Sequence, residues 1–130
     1  VVESFIDELA VETKKDPVEF RRSLLGKQPR VLGVLNLVAE KAGWGTSLPD
    51  SVGRGVSVQF AMGTYLSQVA EVEVSKEGEV KVRRVVCAVD CGQIVNPDTI
   101  VAQIEGGIIF GISAALWGEI TLRGRPRRAA

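Results

Sequence analysis

The chain has 130 residues, of which 45% are apolar and 25% charged, a composition typical of one globular domain with its own core. Its 16 lysines and arginines balance its 16 aspartates and glutamates, so net charge indicates neither a nucleic acid nor an acidic partner. The absence of histidine excludes a serine–histidine triad and removes the commonest neutral metal ligand.

The first third of the chain predicts three helices. Apolar residues recur at helical spacing over residues 2–15 and again over residues 29–42. Between these two segments, Asp16 and Pro17 form a capping and first-turn signal, which predicts a further helix that ends at Gly26.

The middle of the chain changes to the period of β-strands. Residues 45–55 are rich in glycine, serine and proline and predict a linker. Alternating apolar residues then predict a strand over residues 56–60, followed by a β-hairpin with strands over residues 66–74 and 80–89. Residues 85–89 form an unbroken apolar run, which predicts burial on both faces at that end of the last strand.

A long helix is predicted over residues 99–117, after the turn and capping signal at Asn96. Glycine inside a helix costs ~1 kcal/mol relative to alanine, and this helix has glycine at positions 106, 107 and 111. Such a cluster indicates close approach of a ligand or of another backbone, and the spacing alone favours ordinary helix–helix packing at small residues. The uncharged stretch over residues 106–118 is too short to cross a bilayer, so no membrane span is predicted.

The predicted fold class is α+β, with N-terminal helices, an antiparallel sheet and a long glycine-containing helix, as part of a larger domain. We divide the chain into a helical segment over residues 1–45 and a second part over residues 46–130, which holds the hairpin and the long helix.

Gln103 and Glu105 stand beside the glycine pair, and their spacing makes their side chains diverge on a helix. An amide both donates and accepts hydrogen bonds, which suits the edge of a heterocycle.

Asp90 precedes a turn, where it is either a general base or an ordinary turn residue bonded to its own backbone. The thiols of Cys87 and Cys91 alone are too few for a structural zinc site.

Several short runs occur along the chain in a fixed order. The runs in the second half are VAEVEV (69–74), VVCAVDCG (85–92), VNP (95–97), QIEGG (103–107), FG (110–111) and AAL (114–116). Those in the first half are ESFIDELA (3–10) and DPVEFRR (16–22). Together these runs resemble the molybdopterin-binding large subunit of the xanthine dehydrogenase and aldehyde oxidase family, and above all the isoquinoline 1-oxidoreductase β-subunit type.

The resemblance implies a molybdenum–molybdopterin cofactor, in its cytosine dinucleotide form, that hydroxylates an N-heterocycle or an aldehyde with oxygen from water. It implies that Gln103 contacts the pterin, with Gly106 and Gly107 beside it, and that the partners are the rest of the large subunit and a small subunit carrying [2Fe–2S] clusters. A cytoplasmic location is expected, with the periplasm as the alternative.

The resemblance also indicates which parts of the family's sequence this chain does not contain. The family's catalytic glutamate belongs to a motif that this sequence does not contain, so no catalytic residue and no metal ligand is assigned. From residue 123 onward an arginine-rich run replaces the family's continuation, so we expect a piece of the large subunit that is inactive alone. The alternatives are a non-enzymatic interaction module that docks a helix at residues 106–111, and a degenerate remnant that no longer binds cofactor.

Overall fold

The computed structural model describes residues 2–121. The arginine-rich run that begins at Arg123 lies outside the described residues. The elements in chain order are α1 (Val2–Glu12), α2 (Pro17–Leu25), α3 (Pro29–Ala42), β1 (Val52–Ala61), β2 (Thr64–Val74), β3 (Val80–Asp90) and α4 (Pro97–Trp117). The predicted α+β class is confirmed.

By compactness the chain divides into two units, Val1–Ile94 and Val95–Ala130, and each is described by itself. In the first unit, β1, β2 and β3 form an antiparallel sheet in that order, and α3 lies against one face of it. The core is the layer between that helix and the sheet. Its buried side chains are Val18, Val34, Leu35, Val38, Ala39, Ala42, Val56, Val69 and Ala88.

The helix boundaries follow the capping signals. The Asp16 carboxylate accepts hydrogen bonds from the backbone N–H groups of Val18 and Glu19, at 2.9 and 3.0 Å, and so starts α2. Its second oxygen accepts a hydrogen bond from Nε1 of Trp44 at 2.8 Å. Gly43 ends α3 in the left-handed conformation, with φ of 66°. Together these contacts fix the start of α2 beside the end of α3.

The predicted linker over residues 45–55 is wrong at its C-terminal end, because β1 begins at Val52. Gly53 and Gly55 are paired strand residues, opposite Val72 and Ala70. The glycines suggested a loop, but pairing with β2 satisfies their backbone groups and overrides that local preference.

A first hairpin also joins β1 to β2, and the alternation in the sequence did not predict it. Its two loop residues, Met62 and Gly63, both have positive φ, of 50° and 81°. A two-residue loop of this kind has the form of a type I′ turn, which usually carries asparagine or aspartate where this chain has methionine.

The expected burial of residues 85–89 on both faces is wrong. Only Ala88 of this run is buried, and its neighbours are half-buried. The reason is that the first unit covers the sheet on one side only, where Ala88 and Val86 meet α3. The alternate residues Val85, Cys87 and Val89 lie on the other side.

A buried arginine ties the first two helices to the sheet. The guanidinium of Arg21 in α2 is 2% exposed and binds the carboxylates of Glu3 and Asp7 in α1, at 3.1 and 2.6 Å. The Glu3 carboxylate also accepts a hydrogen bond from the backbone N–H of Val58 in β1, at 2.9 Å. Arg21 is therefore satisfied on all sides, which is the condition under which a buried charge is tolerated.

Replacing Arg21 by alanine should lower the free energy of unfolding by about 3 kcal/mol, because it leaves the Glu3 carboxylate partly buried without its cation. Urea denaturation of the chain measures the change. Arg22→Ala is the matched control, since Arg22 pairs with Glu19 at the surface and its loss should change the free energy by under about 1 kcal/mol. Equal effects of the two variants would contradict the assigned role of Arg21.

Candidate functional site

The three predicted cofactor-binding residues all lie in α4. Asn96 starts this helix, because its side-chain oxygen accepts hydrogen bonds from the backbone N–H groups of Asp98 and Thr99 at 3.0 and 3.4 Å. Gln103 follows after one further turn, and Gly106 and Gly107 come one turn after Gln103. The helix therefore presents the amide and at least one glycine on the same side.

The amide of Gln103 is free to meet a ligand. The side chain is exposed and makes no hydrogen bond to any residue from 2 to 121. Glu105, two positions later, projects about 200° around the helix axis from Gln103, so it belongs to another surface. Of the two polar side chains, Gln103 alone is on the side of the glycine at position 107.

The glycines of α4 leave open backbone. A Cβ placed at position 106, 107 or 111 would meet no other described atom within 4 Å. Packing inside the described part of the chain therefore does not require glycine at these positions. They leave room for a group that comes from outside it.

The α4 helix is mostly apolar. An 18-residue stretch of this 21-residue helix has a mean hydropathy of 1.6, and in the described structure none of the helix residues is buried. By length and composition alone the whole helix could cross a membrane. Its uncharged part, within residues 106–118, is too short to do so by itself. That evidence is weak, because an apolar helix is equally typical of the core of a large protein.

The end of β3 carries an ion pair that the sequence did not reveal. The guanidinium of Arg30 binds both carboxylate oxygens of Asp90, at 2.8 and 2.9 Å, and lies 4.7 Å from the centre of the Tyr65 ring. One Asp90 oxygen also accepts a hydrogen bond from the backbone N–H of Gly92, at 3.0 Å. The hydrogen bond from Arg30 lowers the pKa of Asp90 to about 2.

Asp90 thus has the geometry of a turn residue held by an arginine. A carboxylate with so low a pKa takes up a proton poorly at neutral pH, which argues against a general base. Arg30 is 60 residues away in sequence, so no local signal could have found this pair.

A family model described as the molybdopterin cofactor-binding domain matches residues 24–129. The chain belongs to this family. The match includes α4 with Gln103 and both glycines, so the predicted site lies inside the shared domain.

Three relatives match most of the chain. The chain is 40% identical over 123 residues to the β-subunit of isoquinoline 1-oxidoreductase from Brevundimonas diminuta, covering 91% of this chain and 16% of that protein. It is 35% identical to the membrane-bound aldehyde dehydrogenase [pyrroloquinoline-quinone] of Gluconacetobacter polyoxogenes, covering 89% and 18%. It is 34% identical to a nicotinate dehydrogenase subunit from Pseudomonas putida, covering 92% and 12%. No solved structure matches the chain.

This molybdopterin-binding domain spans less than a fifth of the length of these three relatives. Among residues 2–121, no three carboxylate or thiol side chains come together as metal ligands. Both cysteines are free thiols, and burial raises the pKa of Cys87, which disfavours its reactive thiolate.

The carboxyl of Asp90 should titrate with a midpoint of about 2 in the folded chain. The contribution of the Arg30 pair to stability is complete above the ordinary aspartate pKa of about 4 and is lost as the pH falls towards 2. Carboxyl-detected NMR of the Arg30→Ala variant should show a higher midpoint, because the main hydrogen-bond donor is gone. Arg84→Ala, which removes an arginine that contacts Glu71 instead, should leave the midpoint unchanged; a shift of equal size there would contradict the assignment.

Proposed function

We propose that this domain is a segment of the large subunit of a molybdenum hydroxylase and that it helps to hold the molybdenum–molybdopterin cofactor. The observation that carries the proposal is the family match over residues 24–129, which includes the exposed Gln103 and the glycine pair of α4. One relative is named for pyrroloquinoline quinone, but the family model that covers most of this chain is one for molybdopterin.

The residues present fit such a cofactor. The amide of Gln103 offers two donors and an acceptor, which matches the mixed polar edge of a pterin. Gly106 and Gly107 carry no side chain and leave open space at the Cβ position, so a flat ring can approach the helix backbone. The cap at Asn96 fixes the start of the helix and with it the direction in which Gln103 projects.

When bound, the molybdenum centre would supply a two-electron oxidation in which the oxygen comes from water. This chain's own part is to bind and orient. We assign Gln103 to the pterin edge and the two glycines to the contact surface beside it, and we assign no catalytic residue to the chain. Activity accordingly requires the rest of the large subunit.

The names of the relatives support a substrate class. Two of them are named for isoquinoline and nicotinate, which are N-heterocycles, and others are named for aldehydes. We therefore propose oxidative hydroxylation of an N-heterocycle or an aldehyde by the intact enzyme. The resemblance further supports a small partner subunit that carries [2Fe–2S] clusters. We also propose that the cofactor is in its cytosine dinucleotide form and that the enzyme is cytoplasmic.

Replacing Gln103 by alanine in the full-length large subunit should reduce bound molybdenum several-fold, because one oriented hydrogen-bonding group worth about 1 kcal/mol or more is lost. Metal analysis of the purified enzyme measures the content. Ser113→Ala is the matched control, since the Ser113 hydroxyl already bonds to the carbonyl of Ile109 in the same helix, at 2.9 Å. Unchanged molybdenum and turnover in the Gln103 variant would refute the site.

Replacing Gly107 by alanine separates cofactor contact from helix stability. The substitution should stabilise α4 by up to about 1 kcal/mol, and the added methyl meets no described atom within 4 Å. If a ring lies against this backbone, the same methyl should lower cofactor content. Molybdenum analysis together with thermal denaturation of the purified large subunit tests this. Higher or equal molybdenum content would contradict close approach at this glycine.

A further inference from the structure

The sheet has a second face, on the side away from α3, which we call the open face. Within the first unit no helix lies on it. The strand register places sixteen residues there, because partners directly opposite each other share a face. They are Gly53, Gly55, Ser57, Gln59 and Ala61 of β1, Thr64, Leu66, Gln68, Ala70, Val72 and Val74 of β2, and Val80, Val82, Val85, Cys87 and Val89 of β3.

The composition of the open face is that of a buried surface. None of its sixteen residues is charged, although a quarter of the residues in the whole chain are. The charged strand residues Arg54, Glu71 and Arg84 lie towards α3 instead, where they contact each other and the end of that helix. An antiparallel sheet with one face in water carries polar and charged side chains on that face. The open face therefore has the pattern of a sheet that is covered on both sides.

The size of the face restricts what covers it. Three strands with five or six outward residues each span roughly 14 Å by 34 Å, or about 480 Å², at ordinary strand spacings. A stable dimer buries about 800 Å² of accessible surface on each partner, so this face would form only part of such an interface. A covering segment of the same polypeptide needs no such area, because it is already held close by the chain.

The relatives are long enough to include such a segment. The sequence that matches this chain is 16% of the isoquinoline 1-oxidoreductase β-subunit and 12% of the nicotinate dehydrogenase relative. More than four-fifths of each of those polypeptides therefore lies outside the matched part and is continuous with it. A large subunit thus has ample further sequence that could supply an uncharged layer for the open face.

We propose that the open face is the surface on which the rest of the large subunit packs, through an apolar and uncharged layer. This inference rests on the proposed function, since it takes the chain to be part of a large subunit. It assigns the two faces of the sheet to different partners. The inner face binds α3, and the open face binds sequence outside these 130 residues.

Cys87 is a natural reporter because its half-buried thiol lies on the open face. The experiment measures maleimide labelling of Cys87 by peptide mass spectrometry in the 130-residue chain and in the full-length large subunit. Both proteins carry Cys91→Ser, so that the peptide has one thiol. We expect labelling to be slower by roughly tenfold or more in the full-length protein, because covered thiols react slowly. Equal rates would overturn the proposal.

Two further results make the test decisive. Protection of Cys87 in the 130-residue chain that increases with protein concentration would overturn the proposal in favour of a second copy.

Ala70→Asp, which places a charge on the open face, should lower the yield of soluble full-length protein several-fold. Lys76→Asp changes the charge at the exposed turn between β2 and β3 and should leave the yield unchanged; equal losses in both variants would also overturn the proposal.

The molybdenum content of the same preparations separates this proposal from the proposed function. If the full-length protein binds molybdenum while Cys87 stays reactive, the proposed interface is refuted and the proposed function stands. If Cys87 is protected but the full-length protein binds no molybdenum under any condition, the proposed interface stands and the proposed function is refuted.

Discussion

The apolar contact between α3 and the inner face of the sheet is the interaction on which the first unit depends. Leu35 and Val38 are completely buried there, and Val69 in the central strand is 1% exposed. Two arginines secure the two ends of this contact: at one end Arg54 donates to the carbonyl of Gly43 just after α3, and at the other Arg30 binds Asp90. Because burial supplies the stabilisation and the ion pairs fix the alignment, the strand ends are held in place relative to the helix.

The regular elements of this fold could be predicted from the sequence because their signals are local. The three N-terminal helices and the second hairpin follow from periodicity, and Asp16 with Pro17 marks a helix start that the structure has at Pro17. The first hairpin could not be found in this way, because its turn places Met62 at positive φ and its strand contains two glycines. At this hairpin, hydrogen-bonded pairing of the strands outweighs the local conformational preferences of these residues.

The candidate site was accessible to sequence reasoning only in part. Glycines in α4 indicated that something approaches the helix, but spacing alone did not distinguish a ligand from another helix. The resemblance supplied the cofactor, and the family match now includes the same residues. The Arg30–Asp90 pair stayed hidden because it depends on where α3 packs against β3, and the open face stayed hidden because it depends on which strands are neighbours. The role of Gln103 and its glycines is still a proposal that rests on the exposed amide and the open backbone.

The two hydrogen-bonding roles of the Asp16 carboxylate have a consequence for local motion. One oxygen holds the first turn of α2, and the other holds the indole of Trp44 just beyond α3. Fraying of α2 at its start therefore also releases the indole, so the two helices should open and close as one cooperative unit. Backbone amides at the start of α2 would then exchange with solvent at a rate set by the end of α3, which lies more than twenty residues away along the chain.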